Sequence, residues 1–233
     1  MPRRKASLIL LALALVGAPA AAQDDRSELE VSLGRPRRVP PVPADLRPLF
    51  RQVTRDRLVI RDLRGADIVL DIRQYEPDEF RQFAGGRFIG FSFTGYESFG
   101  YLLIDRAMTG EEAVIATGDR PVFSPDGRYF AAVQSSGGAE TGNLEGFALW
   151  QVTADGSRQR LFNTALPPGE DWRVDGWGRE DCVGLSAAPP GTRDATPPPA
   201  RIGLSVMVDG ERIALDGESR PPCGAADSPR PDG

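Results

Sequence analysis

Histidine is absent from the 233-residue chain. That excludes Ser-His-Asp and Cys-His catalysis, His-ligated metals and an imidazole pH switch. Lysine occurs only at Lys5, and there are 2 cysteines and 3 methionines. No apolar run reaches the roughly 20 residues that a membrane span needs. There is no Asp-x-Asp-x-Asp-Gly series for calcium and no glycine loop followed by lysine for phosphate. The chain does have 26 glycines and 21 prolines, about a fifth of its length. That density means many turns and argues against a helical bundle. With 40% hydrophobic and 26% charged residues, a globular core is expected.

Residues 1–22 read as a secretory signal peptide. Arg3, Arg4 and Lys5 form the positive start, Leu8 to Val16 the apolar run, and Ala20-Ala21-Ala22 the small-residue cleavage site. Cleavage after Ala22 removes three cations, so a net charge of −5 becomes −8. An acidic mature chain repels phosphates, which argues against nucleic-acid partners and against stable membrane insertion. The expected location is the bacterial periplasm or the exterior. In that oxidising setting Cys182 and Cys223 are expected to pair. The loop closed is about 40 residues, worth on the order of 3–4 kcal/mol in the chain-entropy model.

The body repeats itself. Four segments share an apolar run, a turn ending in glycine, and a second run. The turn glycines are Gly65, Gly110, Gly156 and Gly210, spaced by 45, 46 and 54 residues. Six residues before each glycine stands Val59, Ile104, Trp150 or Leu204, and five after it Leu70, Ile115, Leu161 or Leu215. Each unit reads as a β-hairpin. Upstream of three of them an aromatic precedes a short turn and another strand: Phe83, Phe123 and Trp177. Two strands around that turn and two around the glycine make four antiparallel strands in about 45 residues, the unit of a β-propeller blade.

The stretch Phe123-Ser-Pro-Asp-Gly-Arg-Tyr-Phe-Ala-Ala132, followed by Leu149 to Leu161, resembles the WD40-like repeat of TolB-type periplasmic propellers over residues 121–163. The resemblance implies a non-catalytic protein-binding or scaffolding role in the cell envelope, with an envelope protein as partner. It also makes Ser124-Pro125-Asp126-Gly127 a turn between strands.

The expected fold is all-β, a propeller-like array of about four blade units, either a small ring or an open arc. An open arc exposes edge strands and predicts an oligomer. The layout is signal peptide 1–22, Pro/Arg-rich segment 23–48, a single domain over 49–216 and a flexible tail 217–233. Arg35, Arg37 and Arg38, set among prolines, read as a flexible linker. The hairpin at 58–70 lacks its own first pair of strands, for which Leu29-Glu-Val-Ser-Leu33 offers one strand. Pro77 to Phe83 reads as one helical turn.

No cofactor, metal ligand set or catalytic constellation is found. Ser135, Ser136, Glu140, Thr141 and Asn143, in a small-residue loop, are the candidate partner surface, joined by Trp172. Trp177 falls at the repeated aromatic position and belongs to the core. Two other readings compete. One is a structural envelope protein without ligand. The other is a glycan-active enzyme using Glu170, Asp171, Asp175, Glu180 and Asp181 beside the two tryptophans. The mature, non-reduced chain is expected to begin at Gln23 and to weigh two hydrogens less than its reduced form. Intact mass spectrometry reads both.

Overall fold

The computed structural model describes residues 37–95, 98–134, 146–179, 182–192, 195–209 and 212–216. They form four antiparallel sheets, taken up one after another along the chain. The first contains β1 (Phe50–Val53), β2 (Arg57–Arg61) and β3 (Asp67–Asp71). The second contains β4 (Tyr75–Phe83), β5 (Phe88–Gly95), β6 (Phe99–Asp105) and β7 (Val114–Ala116). The third contains β8 (Val122–Phe123), β9 (Tyr129–Gln134), β10 (Gly146–Thr153) and β11 (Gly156–Asn163). The fourth contains β12 (Glu170–Arg179), β13 (Cys182–Ala188), β14 (Ile202–Asp209) and β15 (Arg212–Asp216). Strands lie in sequence order within every sheet. The fold is all-β and propeller-like.

The four glycine hairpins are β2–β3, β6–β7, β10–β11 and β14–β15. The three aromatic turns join β4 to β5, β8 to β9, and β12 to β13. Aligned on its hairpin, the first sheet has, among the described residues, no counterpart of the strand that opens the other three, and β1 takes the second position. Leu29–Leu33 lies outside the described residues.

Two expectations are corrected. Tyr75–Phe83 is a strand, not a helical turn. Phe80 is buried, meeting Phe50 of the first sheet at 5.9 Å and Phe91 of β5 at 5.0 Å, and the half-buried Phe83 stacks on Phe123 of the third sheet at 5.2 Å. A single helical turn leaves most of its own hydrogen-bonding groups unmet, whereas β4 pairs along its length with β5. Nor is the stretch from Arg37 to Pro48 a loose linker. Val42 and Leu46 are 6% and 1% exposed and join the core of the first two sheets. Arg37 is buried, bonded to Asp56 Oδ1 at 2.9 Å and to the carbonyls of Arg55 and Ile72. Prolines here fit because the segment adds no ladder bonds and so needs few donors.

Three clusters stitch the sheets face to face. The first holds Ile60 and Ile68 with Ile89, Phe91 and Ile104. Another holds Phe88 and Leu103 with Phe130 and Trp150. The third holds Ala131, Val133 and Leu149 with Trp177, Val183 and Leu185. Every residue of β9 is buried, because Phe130 and Ala132 face the second sheet while Tyr129, Ala131 and Val133 face the fourth. The two-residue alternation of a strand thus serves two cores at once. Among the described residues no hydrophobic cluster joins the first sheet to the fourth.

A polar clasp ties three sheets at the end of β6. Asp105 is fully buried. It accepts from Arg87 Nε and Nη2 at 3.0 Å each, from Ser157 Oγ of the third sheet at 2.7 Å and from the Ala107 amide at 3.0 Å. Next to it, Arg106 donates to the Arg61 carbonyl of the first sheet at 2.6 Å and to the Gly86 carbonyl. Its own carbonyl accepts from the Leu63 amide at 2.7 Å. Removing a buried carboxylate from such a set leaves Arg87 without its counter-charge. Asp105→Ala is expected to lower unfolding stability by about 3–5 kcal/mol, and Ser157→Ala by about 1 kcal/mol, read from urea denaturation.

Candidate functional site

The strands that open the second, third and fourth sheets stand at the same edge of their sheets. They converge on one groove. It is lined by Glu79 from β4, Asp119 and Arg120 leading into β8, Val122 of β8, Val133 of β9, and Arg173 and Val174 of β12, and encloses about 360 Å³. The valines belong to the core; the four charged side chains are exposed.

Bulges set these charges. β4 breaks register between Asp78 and Arg81, and β12 between Glu170 and Arg173. In each bulge the second acid has a left-handed backbone, Glu79 at φ 51 and Asp171 at φ 50. That conformation costs a non-glycine residue on the order of 1–3 kcal/mol and persists only where its surroundings enforce it. The bulge lets one aromatic turn inward, Phe80 or Trp172, while the acid before it and the arginine after it face out. The sequence signal is legible in retrospect: Asp78-Glu79-Phe80-Arg81 and Glu170-Asp171-Trp172-Arg173 are the same four-residue pattern, two blade periods apart.

Arg173 is held by Asp175 at 3.0 Å. The side chains of Glu79, Asp119 and Arg120 make no hydrogen bond or ion pair among the described residues. Two buried polar groups that do not line the groove also make no hydrogen bond among the described residues: the Tyr101 hydroxyl and both amide atoms of Gln134. Tyr101 is 3% exposed and Gln134 2%. The phenol lies across β5 at Gly90, where a Cβ would come within 2.6 Å of its oxygen. Gly90 pairs with Arg81 of β4, so the missing side chain lets the ring reach toward the opening strand. Gln134 sits beside Gly118, whose Cβ would meet its Oε1 at 2.6 Å, next to Asp119.

Electrostatics follow from this burial. Desolvation pushes the Tyr101 phenol up to about 12, against the pull of nearby Arg120 and Arg81 and with a push from Glu79. Desolvation also raises the Asp119 carboxyl, although part of that residue remains open to solvent.

The residues singled out from sequence fall differently. Ser135, Ser136, Glu140, Thr141 and Asn143 lie outside the described residues, as do Cys223, Glu180 and Asp181. Cys182 is buried at the start of β13. Trp177 is core, donating its indole N–H to the Val122 carbonyl at 3.0 Å. Trp172 is corrected: it is 4% exposed and packs in the core of the last two sheets, since the bulge turns it inward. It offers no free ring face for a sugar. Asp175 accepts from Ser186 Oγ at 2.8 Å, and Glu170 from the Gly191 amide at 2.8 Å, so both acids serve the sheet. Ser124-Pro-Asp-Gly is a β-turn, with the Gly127 amide on the Ser124 carbonyl at 2.9 Å and Ser124 Oγ donating to Asp126 at 2.7 Å. Among the described residues no group of three or more acids and cysteines is placed to hold a metal.

The Tyr101 phenol gives a pH signature. Its folded pKa lies above its ordinary value of 10.0. The neutral phenol is therefore favoured by folding, and that stability is whole below pH 10 and is lost as pH rises toward 12. Tyr101→Phe is expected to remove this alkaline loss. At neutral pH it should leave stability unchanged or raise it by about 1 kcal/mol, because an unpaired buried hydroxyl disappears. Denaturation at neutral pH and at alkaline pH measures both.

No protein-family model matches the chain, and no curated protein matches it. Among solved structures the chain is similar to TolB from Acinetobacter baumannii, with 13% identity and a TM-score of 0.31. The match covers 71% of this chain and 37% of that one, so the chain spans little more than a third of that protein's length. The fold class rests on the four sheets themselves: an all-β, propeller-like array.

Proposed function

We propose that the protein is a non-catalytic binding module of the bacterial cell envelope, exported by residues 1–22, that engages a partner protein at the groove on the opening edge of its sheets. One observation carries the reading. Glu79, Asp119 and Arg120, from two different sheets, line one groove, and their side chains make no hydrogen bond or ion pair among the described residues. Charges that a fold leaves unpaired around a concavity are available for complementary charges on a partner, which set orientation and specificity. Ser135, Ser136, Glu140, Thr141 and Asn143 follow Val133 and Gln134 directly in the chain and belong to this reading as further partner contacts. The Cys182–Cys223 bond belongs to this reading as the link between β13 and the C-terminal residues. The glycan-active reading loses its stacking aromatic with the burial of Trp172.

The test is site-specific cross-linking from the groove rim in the envelope of the native host. The wild-type chain is expected to trap a defined envelope protein. The triple variant Glu79→Gln, Asp119→Asn, Arg120→Gln is expected to trap it at least about ten-fold less, at an unchanged melting temperature. Equal trapping by the variant would remove the groove from the interface, and no trapped protein at all would favour a structural role.

A further inference from the structure

We infer that the outer face of the first sheet is a homodimer interface, on which a second copy, turned over about a two-fold axis parallel to the strands, sets its β2 against this copy's β3. The inference is independent of the groove, since no residue lining the groove belongs to the first sheet.

Alternation along two strands builds this face. Leu58, Ile60, Ile68 and Leu70 point toward the second sheet and fill the shared core. Arg57, Val59 and Arg61 of β2, and Asp67, Val69 and Asp71 of β3, therefore point the other way. No hydrophobic cluster among the described residues takes in Val59 or Val69, and Val69 is 55% exposed. The register then fixes the charges. Arg57 stands opposite Asp71, Val59 opposite Val69 and Arg61 opposite Asp67. One strand carries a row of arginines, and its neighbour carries a row of aspartates at the same heights.

Such a face is complementary to itself. Turning a copy over about an axis midway between β2 and β3 keeps the heights and exchanges the strands. Arg57 then meets Asp71 of the second copy, Arg61 its Asp67 and Val69 its Val59, each contact occurring twice by symmetry. Turning it about an axis across the strands sets arginine on arginine, so charge selects the first arrangement. The fold leaves the arginines available for it. Asp67 is held by Arg51 at 2.8 Å and Asp71 by Arg73 at 2.6 Å. The side chains of Arg57 and Arg61 make no hydrogen bond or ion pair among the described residues, although each stands opposite an aspartate. A carboxylate has two oxygens and accepts from a second arginine. Four arginines against two aspartates leave each face positive, and placing every carboxylate between two guanidinium groups offsets that repulsion. Stacked sheets lie ~10 Å apart, within the combined reach of an arginine and an aspartate. With strands of 5 residues in a sheet of three, the face measures ~17 Å by ~14 Å. That is small for a stable interface, so the dimer is a weak one.

Light scattering on the exported chain over a concentration series tests this. A monomer–dimer equilibrium with Kd of about 10–100 µM is expected. It should weaken several-fold as salt rises from about 0.05 M to about 0.5 M. Two charge-swapped chains make the decisive pair. One carries Arg57→Asp and Arg61→Asp, the other Asp67→Arg and Asp71→Arg. Each alone is expected to dimerise at least about ten-fold more weakly, at a melting temperature near that of wild type, and an equal mixture is expected to pair one to one. Val69→Glu, at an exposed site, should also weaken dimerisation at least about ten-fold, and it decides the matter if a charge-swapped chain does not fold. A chain still monomeric at about 1 mM, variants that dimerise like wild type, or swapped chains that do not pair with each other would each overturn the inference. So would assembly past two copies, which marks head-to-tail stacking of the first sheet on the fourth. The triple variant of the groove should dimerise like wild type, so loss of the cross-linked partner leaves this inference standing.

Discussion

The buried carboxylate of Asp105 is the interaction on which the arrangement of the sheets depends. Hydrophobic faces can slide over one another at little cost, because burial is not directional. A charge without solvent cannot move away from its partners. Asp105 fixes Arg87 within its own sheet and Ser157 in the next, and the adjoining Arg106 reaches back to the first sheet. Three sheets are thereby held in register at one end. The aromatic stack of Phe88, Phe123, Phe130 and Trp150 fills the space between, with Phe130 and Trp150 at 4.9 Å and nearly parallel.

With the outer ends clasped, the opening strands are free to specialise. β8 has only two residues, and β4 and β12 are bulged. Bulges interrupt the ladder and aim side chains that a regular strand would place differently. Here they turn Phe80 and Trp172 into the core and leave Glu79 and Arg173 on the groove. The strain at Glu79 and Asp171 is sustained by the packing of the aromatics that follow them. The site and the core are therefore one construction: the residue that anchors each bulge is hydrophobic, and the residue it presents is charged.

Much of the architecture was legible from residue spacing. Glycine turns at a period near 45 residues, with apolar positions at fixed offsets, locate four hairpins, and the aromatic turns locate three more. These signals are local, since a tight turn imposes its own backbone requirements. The misreadings were also local. Pro77 to Phe83 carries phenylalanines three apart, which suits one helical turn, yet the stretch pairs with β5 as part of a bulged strand that buries Phe80. Prolines around Arg37 suggest a linker, but Arg37, Val42 and Leu46 find partners far along the chain. Trp172, beside acids, looks like a surface aromatic until the bulge rotates it.

By itself the sequence determined the all-β class, the blade period, the turn positions and the absence of imidazole chemistry, because each follows from residue type or from contacts a few positions apart. Tertiary structure alone decided which strands form the shared edge, that Asp105 is the buried clasp, and that Glu79, Asp119 and Arg120 line one groove. Those outcomes depend on sheets stacking through clusters whose members are tens of residues apart, and no local pattern encodes which charges such stacking leaves unpaired.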